Sequence, residues 1–112
     1  MPLVTATAPV AATILVSPWV TFEQHARSFE TNQYCDLLSA GGLADWSTSY
    51  LGGAERDPYN TPLSAPTGWW KDAPMGHVVV IAGQDEIFVD DDESFAKNLK
   101  VDFNFYHSMG LY

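Results

Sequence analysis

Cysteine is nearly absent from this chain of 112 residues, which contains a single one, Cys35. A lone cysteine cannot form a disulfide within the chain, and no cluster of cysteines or histidines has the spacing of a structural zinc site. We therefore expect neither a metal ion nor another cofactor, and we interpret Cys35 as a small buried apolar residue. The lone cysteine also fits a reducing compartment, so a cytoplasmic location is expected.

Basic residues are scarce as well. Five Lys and Arg stand against 14 Asp and Glu, which gives a formal net charge of −9. Proteins that bind nucleic acid neutralise its phosphates with clusters of Lys and Arg, and this sequence has no such cluster. We therefore expect no nucleic acid among its partners, and we attribute the acidic surface to solubility.

No hydrophobic run is long enough to cross a membrane. Residues 6–16 are apolar and small, but a membrane-spanning helix requires about 18 residues or more. No positive charge precedes this run, as one would in a secretory signal peptide. We interpret it as the approach to a buried strand, with a weak signal peptide as the alternative.

The chain does contain enough apolar material for a core. Apolar residues make up 46% of it, and it includes four Trp, six Phe and five Tyr. This composition argues against disorder in spite of the charge. A chain of this length supports one small domain, and we treat residues 1–112 as that domain.

Three segments have the patterns of β-strands. The first begins at Ala11 as a continuous apolar run closed by Pro18, which is typical of a strand buried on both faces. The second is equally apolar, and the third alternates between apolar and polar residues. Strands are expected near 11–17, 77–82 and 101–106.

Helices are expected in both connections between these strands. One is predicted near 29–38 and another near 40–51, where an apolar stripe recurs at helical spacing and Gly52 follows as a C-cap. The stripe consists of Leu43, Trp46, Tyr50 and Leu51. A loop rich in Pro and Gly comes next, with one short helical turn. The last helix opens with the acidic residues 90–93, whose charges complement the helix dipole.

Strand, helix and strand within residues 76–106 form a βαβ unit with a parallel pair. The predicted fold class is therefore α/β, a short and mostly parallel sheet with flanking helices. Within it, we divide the chain into a strand and loop, a helical and loop connection, the βαβ unit and an atypical tail. These parts cover residues 11–22, 23–75, 76–106 and 107–112.

Ligands and catalytic groups of open parallel sheets lie beyond the carboxyl ends of the strands. Two titratable residues are expected at that edge. Asp85 follows the second predicted strand, and His107 comes directly after the third. Neighbouring strands lie about 4.8 Å apart, so the two side chains are expected within hydrogen-bonding reach. A carboxylate that holds an imidazole in one tautomer is the acid–base half of a Ser-His-Asp triad.

The second strand and its turn, Gly-His-Val-Val-Val-Ile-Ala-Gly-Gln-Asp-Glu-Ile from Gly76, resemble one segment of the α/β-hydrolases of the hormone-sensitive-lipase kind. In that family a strand ends in a Gly-x-Asp-x-[Leu/Ile] turn, and an acidic pair opens the next helix. The run Ile-Leu-Val-Ser-Pro-Trp-Val from Ile14 is similar to the strand after the family's nucleophile helix. The resemblance covers roughly residues 10–100, and the segment from Trp46 to Leu63 belongs to it.

This resemblance implies a partial α/β-hydrolase fold from the carboxyl-terminal part of a serine esterase or lipase. Asp85 would be the acid of the catalytic triad and His107 a tentative histidine, with a small ester as the substrate of the intact enzyme. The Gly-x-Ser-x-Gly elbow and the His-Gly-Gly oxyanion loop of such enzymes do not occur in this sequence. Ser39 precedes Ala-Gly-Gly but lacks the first glycine of an elbow. The isolated chain is therefore expected to be inactive.

Two other classes of function stay open at this point. A sheet with an open edge and an exposed apolar face would suit a non-catalytic module that self-associates. A nucleotide-binding βαβ domain is less consistent, because the turn at Gly83 lacks the further glycines that cradle phosphates.

The other candidate site residues have simpler structural interpretations. His25 is expected to be solvated, His77 to start a strand, and the carboxylates of 90–93 to open a helix rather than to bind a cation. Trp69 and Trp70 are expected to pack, with an acyl pocket as the alternative.

Overall fold

The computed structural model describes residues 10–106 and contains one sheet of three parallel strands. The strands are β1 (Ala12–Val16), β2 (His77–Gly83) and β3 (Asp102–Tyr106), in the order β1-β2-β3. All three strand predictions are confirmed, as is the parallel βαβ unit. Because β2 lies in the middle, each of the other strands pairs with it alone.

Three helices connect these strands, with the bounds α1 (Ser28–Thr31), α2 (Ala40–Leu51) and α3 (Val89–Leu99). A 3-10 turn over Pro62–Ser64 is the short helical turn expected in the loop. No helix among residues 10–106 combines the length and apolar character that a membrane crossing requires.

The predicted bounds of α2 are confirmed, and its ends show why. The Ser39 side chain accepts a hydrogen bond from the Gly42 amide (3.1 Å), which satisfies a free N–H group of the first turn. At the other end Gly52 adopts φ +56°, the left-handed conformation that closes a helix at low cost when the residue is glycine.

The apolar stripe predicted along α2 is only partly correct. Leu43 is buried, and it packs with Ile87 and Phe88 in a core cluster. Trp46 and Tyr50 are 57% and 68% exposed, because the face that turns inward carries Leu43 and Ser47 instead.

The helix predicted near 29–38 is wrong in length, since α1 ends at Thr31 after a single turn. The residues that follow include Asn32 and Asp36, whose side chains bond to backbone groups elsewhere in the chain. Asn and Asp commonly satisfy backbone groups outside a helix, so the chain leaves helical geometry here.

The expectation that β1 is buried on both faces is also wrong, because Ile14 and Val16 are 65% and 62% exposed. Two successive right-handed crossovers that step in the same direction place both connections on one face of a sheet. That face is covered by α3, and the β2 side chains Val78 and Val80 are buried. The same topology leaves the opposite face of β1 bare.

A buried carboxyl group lies at the start of α3. The acidic residues 90–93 open this helix as predicted, but Asp92 is 0% exposed rather than solvated. Neither of its oxygens has a hydrogen-bond partner among residues 10–106. Burial, followed by the negative charges of Glu86 and Asp91, raises the pKa of Asp92 to about 8. Asp92 is therefore a neutral acid at pH 7.

Replacing this acid with its neutral analogue should change how stability depends on pH. The unfolded chain releases the Asp92 proton near pH 4, whereas the folded chain holds it up to about pH 8. Between these two pH values, Asp92 therefore lowers the free energy of unfolding of the wild type as the pH rises. Relative to wild type, we expect Asp92→Asn to gain unfolding free energy from about pH 5 to about pH 8, by up to about 1.4 kcal/mol per pH unit. Urea unfolding measures this difference.

Asp45→Asn, at an exposed position of α2, is the matched control and should show no such trend. A stability difference between Asp92→Asn and wild type that stays constant over this pH range would contradict a buried neutral acid.

Candidate functional site

The carboxyl ends of the three strands meet at one edge of the sheet. Ser17 follows β1, and its amide donates to the Ile81 carbonyl of β2 (2.7 Å). On the other side, the Gln84 amide donates to the carbonyl of Tyr106 at the end of β3 (2.9 Å). The end of β2 is therefore bonded to the end of β1, and the turn that leaves β2 over residues 83–87 is bonded to the end of β3. Asp85 lies in the middle of this turn.

The Glu86 carboxylate, which belongs to the turn, bonds both to the turn's own backbone and to Ser17. The Glu86 side chain accepts hydrogen bonds from the Ser17 hydroxyl at both oxygens (2.7 and 2.8 Å). It also accepts one from the Gly83 amide (2.6 Å). The Glu86 carboxylate is thus occupied by β1 and by the turn's own backbone.

The loop around α1 binds the outer side of the same turn. The Asn32 amide group donates to the carbonyls of Glu86 (2.9 Å) and Gln84 (3.3 Å). Asp36 accepts from the Ile87 amide (2.9 Å), and the buried Ser28 hydroxyl donates to the Ile87 carbonyl (2.6 Å). Three side chains from one loop therefore satisfy the backbone around Asp85.

Asp85 itself contrasts with these neighbours, because its side chain is exposed and accepts no hydrogen bond from any residue of 10–106. An ionised carboxylate has about four acceptor positions. The turn is therefore held by other side chains, while the Asp85 carboxylate stays available to an outside donor such as an imidazole N–H. Of the two adjacent carboxylates, that of Glu86 accepts hydrogen bonds within residues 10–106 and that of Asp85 accepts none there.

An open cleft of about 760 Å³ adjoins the Asp85 carboxylate. Its walls are the loop of residues 34–37, the turn of residues 83–86, and Tyr106. Tyr34 and Leu37 are almost fully exposed on its rim. The cleft is therefore lined both by acidic residues of the turn and by the exposed side chains of Tyr34 and Leu37.

The structure places one of the two predicted site residues. Asp85 is at the carboxyl edge of the sheet, as expected, whereas His107 lies outside the described residues. The residue before it, Tyr106, carries the carbonyl that accepts from Gln84. Whether His107 meets Asp85 stays a prediction.

The other candidate residues, two histidines and the cysteine, lie at exposed positions. His25 is solvated, with Glu23 at 3.5 Å, and His77 is an exposed residue at the start of β2. Cys35 is exposed and lines the cleft, so the expectation that it is buried is wrong. Its loop position, rather than a place in a helix facing the core, explains the difference. No group of three or more potential metal ligands occurs within the described part of the chain.

The tryptophan pair packs against other aromatic rings. Trp69 contacts Tyr59 edge to face, with ring centroids 5.1 Å apart, and Trp70 contacts Phe95 at 5.9 Å. Neither Trp69 nor Trp70 lines the cleft beside Asp85.

Sequence reasoning missed the residues that hold the turn. Asn32 and Asp36 lie inside the helix that the sequence predicts near 29–38, and their low helix propensity is the signal that argues against it. The bond between Ser17 and Glu86 gave no signal, because it joins positions 69 residues apart.

Comparison with known proteins identifies the family of this chain. The family described as alpha/beta hydrolase fold matches residues 3–109, and the chain belongs to that family. A comparison with curated proteins gave no match.

Solved structures agree with this assignment. An esterase from the bacterial hormone-sensitive lipase family is 26% identical, with a TM-score of 0.70 over 86% of this chain and 32% of its own. The protein EstE5 is also 26% identical, with a TM-score of 0.68 over 84% of this chain and 32% of its own. A hormone-sensitive lipase from a metagenome library, 21% identical, shares the fold with a TM-score of 0.74 over 88% of this chain and 35% of its own. The chain thus spans about a third of the length of these structures.

Removing the hydrogen bond between Asp36 and the turn should lower the free energy of unfolding. Asp36→Ala leaves the Ile87 amide without its acceptor, and we expect the free energy of unfolding to fall by about 1–3 kcal/mol. Urea unfolding at neutral pH measures the loss. Asp72→Ala, at an exposed turn position, is the control and should stay within about 0.5 kcal/mol of wild type. Equal effects of the two changes would show that the Asp36 bond contributes nothing.

Proposed function

We propose that this chain is the carboxyl-terminal part of a serine carboxylic-ester hydrolase of the esterase or lipase type, and that Asp85 is its triad acid. The observation that carries the proposal is the contrast at the carboxyl edge of the sheet. Side-chain hydrogen bonds of Ser17, Ser28, Asn32, Asp36 and Glu86 hold the turn of residues 83–87, yet none of them involves the Asp85 carboxylate. Membership of the alpha/beta hydrolase fold family supports it.

In the proposed mechanism Asp85 accepts a hydrogen bond from the Nδ1–H group of the catalytic histidine. This bond fixes the tautomer in which Nε2 takes the proton of the serine hydroxyl as that oxygen attacks the ester carbonyl. The carboxylate then stabilises the imidazolium ion and stays ionised throughout. The histidine returns its proton to the leaving alcohol.

His107 is our candidate for that histidine. It follows Tyr106, whose carbonyl is bonded to the residue before Asp85. The route from β3 into the next residues therefore starts beside the acid.

We further propose that the substrate of the intact enzyme is a small ester, because the exposed side chains of Tyr34 and Leu37 line the cleft beside Asp85. The chain itself carries neither a nucleophile elbow nor an oxyanion loop. Positioning a base does nothing without a nucleophile to activate, so the isolated chain is inactive in this proposal. We also propose a cytoplasmic location, with which the lone cysteine is consistent.

The similarity to esterase structures favours this function over a non-catalytic module. The bare face of β1 explains why an isolated chain would still tend to self-associate.

A chimeric enzyme tests the assignment of Asp85. In the esterase that is 26% identical to this chain, residues 10–106 replace the matching segment, so that the esterase supplies the serine and the histidine. We expect hydrolysis of p-nitrophenyl butyrate by the chimera, and a loss of roughly 10⁴-fold in kcat for Asp85→Asn, because the wrong histidine tautomer is then favoured.

Asp102→Asn, at the opposite end of the sheet, is the control and should leave kcat unchanged. The purified 112-residue chain alone should give no turnover above buffer. A folded, active chimera that is insensitive to Asp85→Asn would refute the role of Asp85.

A further inference from the structure

Glu86 shapes the turn that carries Asp85 from inside that turn. Its amide donates to the Gly83 carbonyl (3.2 Å), and its carboxylate accepts from the Gly83 amide (2.6 Å). The four-residue turn is therefore closed twice, once by backbone and once by side chain. The two residues between the closures, Gln84 and Asp85, are both exposed.

Gly83 is matched to this arrangement. A Cβ atom at position 83 would stand 3.0 Å from the Glu86 Cγ atom and 3.1 Å from its Cδ atom, which is tighter than ordinary contact. The absence of a side chain at Gly83 therefore lets the Glu86 chain fold back over the end of β2.

Ser17 anchors the other end of the Glu86 side chain. Its hydroxyl lies within hydrogen-bond distance of both carboxylate oxygens, and its backbone has φ +49°. A residue other than glycine is disfavoured in this left-handed region, because its Cβ atom crowds the backbone. The bonds from the Ser17 amide to Ile81 and from its hydroxyl to Glu86 hold this conformation.

We propose that Glu86 is a positioning residue for Asp85, with Ser17 as its anchor on the neighbouring strand. This inference rests on the proposed role of Asp85 as triad acid. Glu86 does not touch substrate or histidine. It fixes the direction in which the Asp85 carboxylate leaves the sheet, by connecting the turn to β1 on the side opposite to β3.

The expected size of the effect follows from the geometry of catalysis. A displacement of about 1 Å in a catalytic group lowers the rate by roughly 100-fold. Without the Glu86 carboxylate, the turn keeps its backbone closure and the bonds from Asn32 and Asp36, but it loses its connection to β1. The change therefore loosens the orientation of Asp85 and leaves the fold intact.

Nuclear magnetic resonance on the full chain tests this directly. We compare Glu86→Ala, Ser17→Ala and Glu86→Gln, reading backbone amide order parameters at Gln84 and Asp85. In the first two variants we expect these to fall from about 0.85 towards 0.6, while those of β2 and α3 stay unchanged. Glu86→Gln should keep the wild-type values, because its carbonyl oxygen accepts from Gly83 and its amide group donates to the Ser17 hydroxyl.

Glu30→Ala, at an exposed position of α1, is the control. Unchanged order at Asp85 in both Glu86→Ala and Ser17→Ala would overturn the proposal. A loss spread equally over β2 and α3 would overturn it too, because Glu86 would then be only a general stabilising residue. If Glu86→Ala fails to fold, Ser17→Ala decides.

The chimeric esterase separates this inference from the proposed function. There, Glu86→Ala should lower kcat by roughly 10- to 100-fold with KM nearly constant, and Glu86→Gln should restore it. If Asp85→Asn has no effect, the triad role is wrong, whatever the turn does. If Asp85→Asn abolishes activity but Glu86→Ala leaves kcat unchanged, only the positioning role is wrong.

Discussion

The parallel pairing of β2 with a strand on each side is the constraint on which the rest of this structure depends. It brings three carboxyl ends to one edge, and each end contributes to the surroundings of Asp85. Ser17 comes from β1, the turn itself from β2, and the Tyr106 carbonyl from β3. An antiparallel neighbour would place its amino end there and could not bring the same atoms together.

Order at this edge comes from polar side chains as well as from the apolar packing of Ile87. Two neighbouring acids have opposite surroundings, one enclosed by donors and one facing solvent. A third acid, Asp92, lies close enough for the Glu86 charge to hinder its ionisation. Keeping Asp92 neutral limits the negative charge collected behind the turn. The exposed carboxylate of Asp85 therefore leaves a turn whose backbone is hydrogen-bonded to other side chains, next to a buried acid that burial keeps protonated.

The strands and the place of Asp85 could be predicted because each depends on a short stretch of sequence. Runs of apolar residues mark β2, and the turn after it follows at once along the chain. The burial of β1 could not be predicted, since it depends on which face both crossovers take. The length of α1 depended on Asn32 and Asp36 finding partners more than 50 residues away. Local pattern carries no information on such distant partners.

The family resemblance predicted more than the local pattern did. It singled out Asp85 among the many carboxylates of the chain, because Asp85 lies in a Gly-x-Asp-x-Ile motif. It did not reveal how that carboxylate is held. Ser17 and Glu86 were visible only as parts of motifs, and their bond required three-dimensional proximity. Support residues of this kind are determined by tertiary structure, whereas the proposed triad acid is marked by its immediate neighbours.

The long connection before β2 has a consequence for how the chain folds. Residues paired between β1 and β2 lie 65 positions apart, against 23 for those paired between β2 and β3. Closing the longer loop costs about 1 kcal/mol more in chain entropy. We therefore expect the carboxyl-terminal unit to assemble first and to serve as a template on which β1 docks late. The last event of folding would then join Ser17 to Glu86, so that the support of the acid is completed only when the whole sheet is in place.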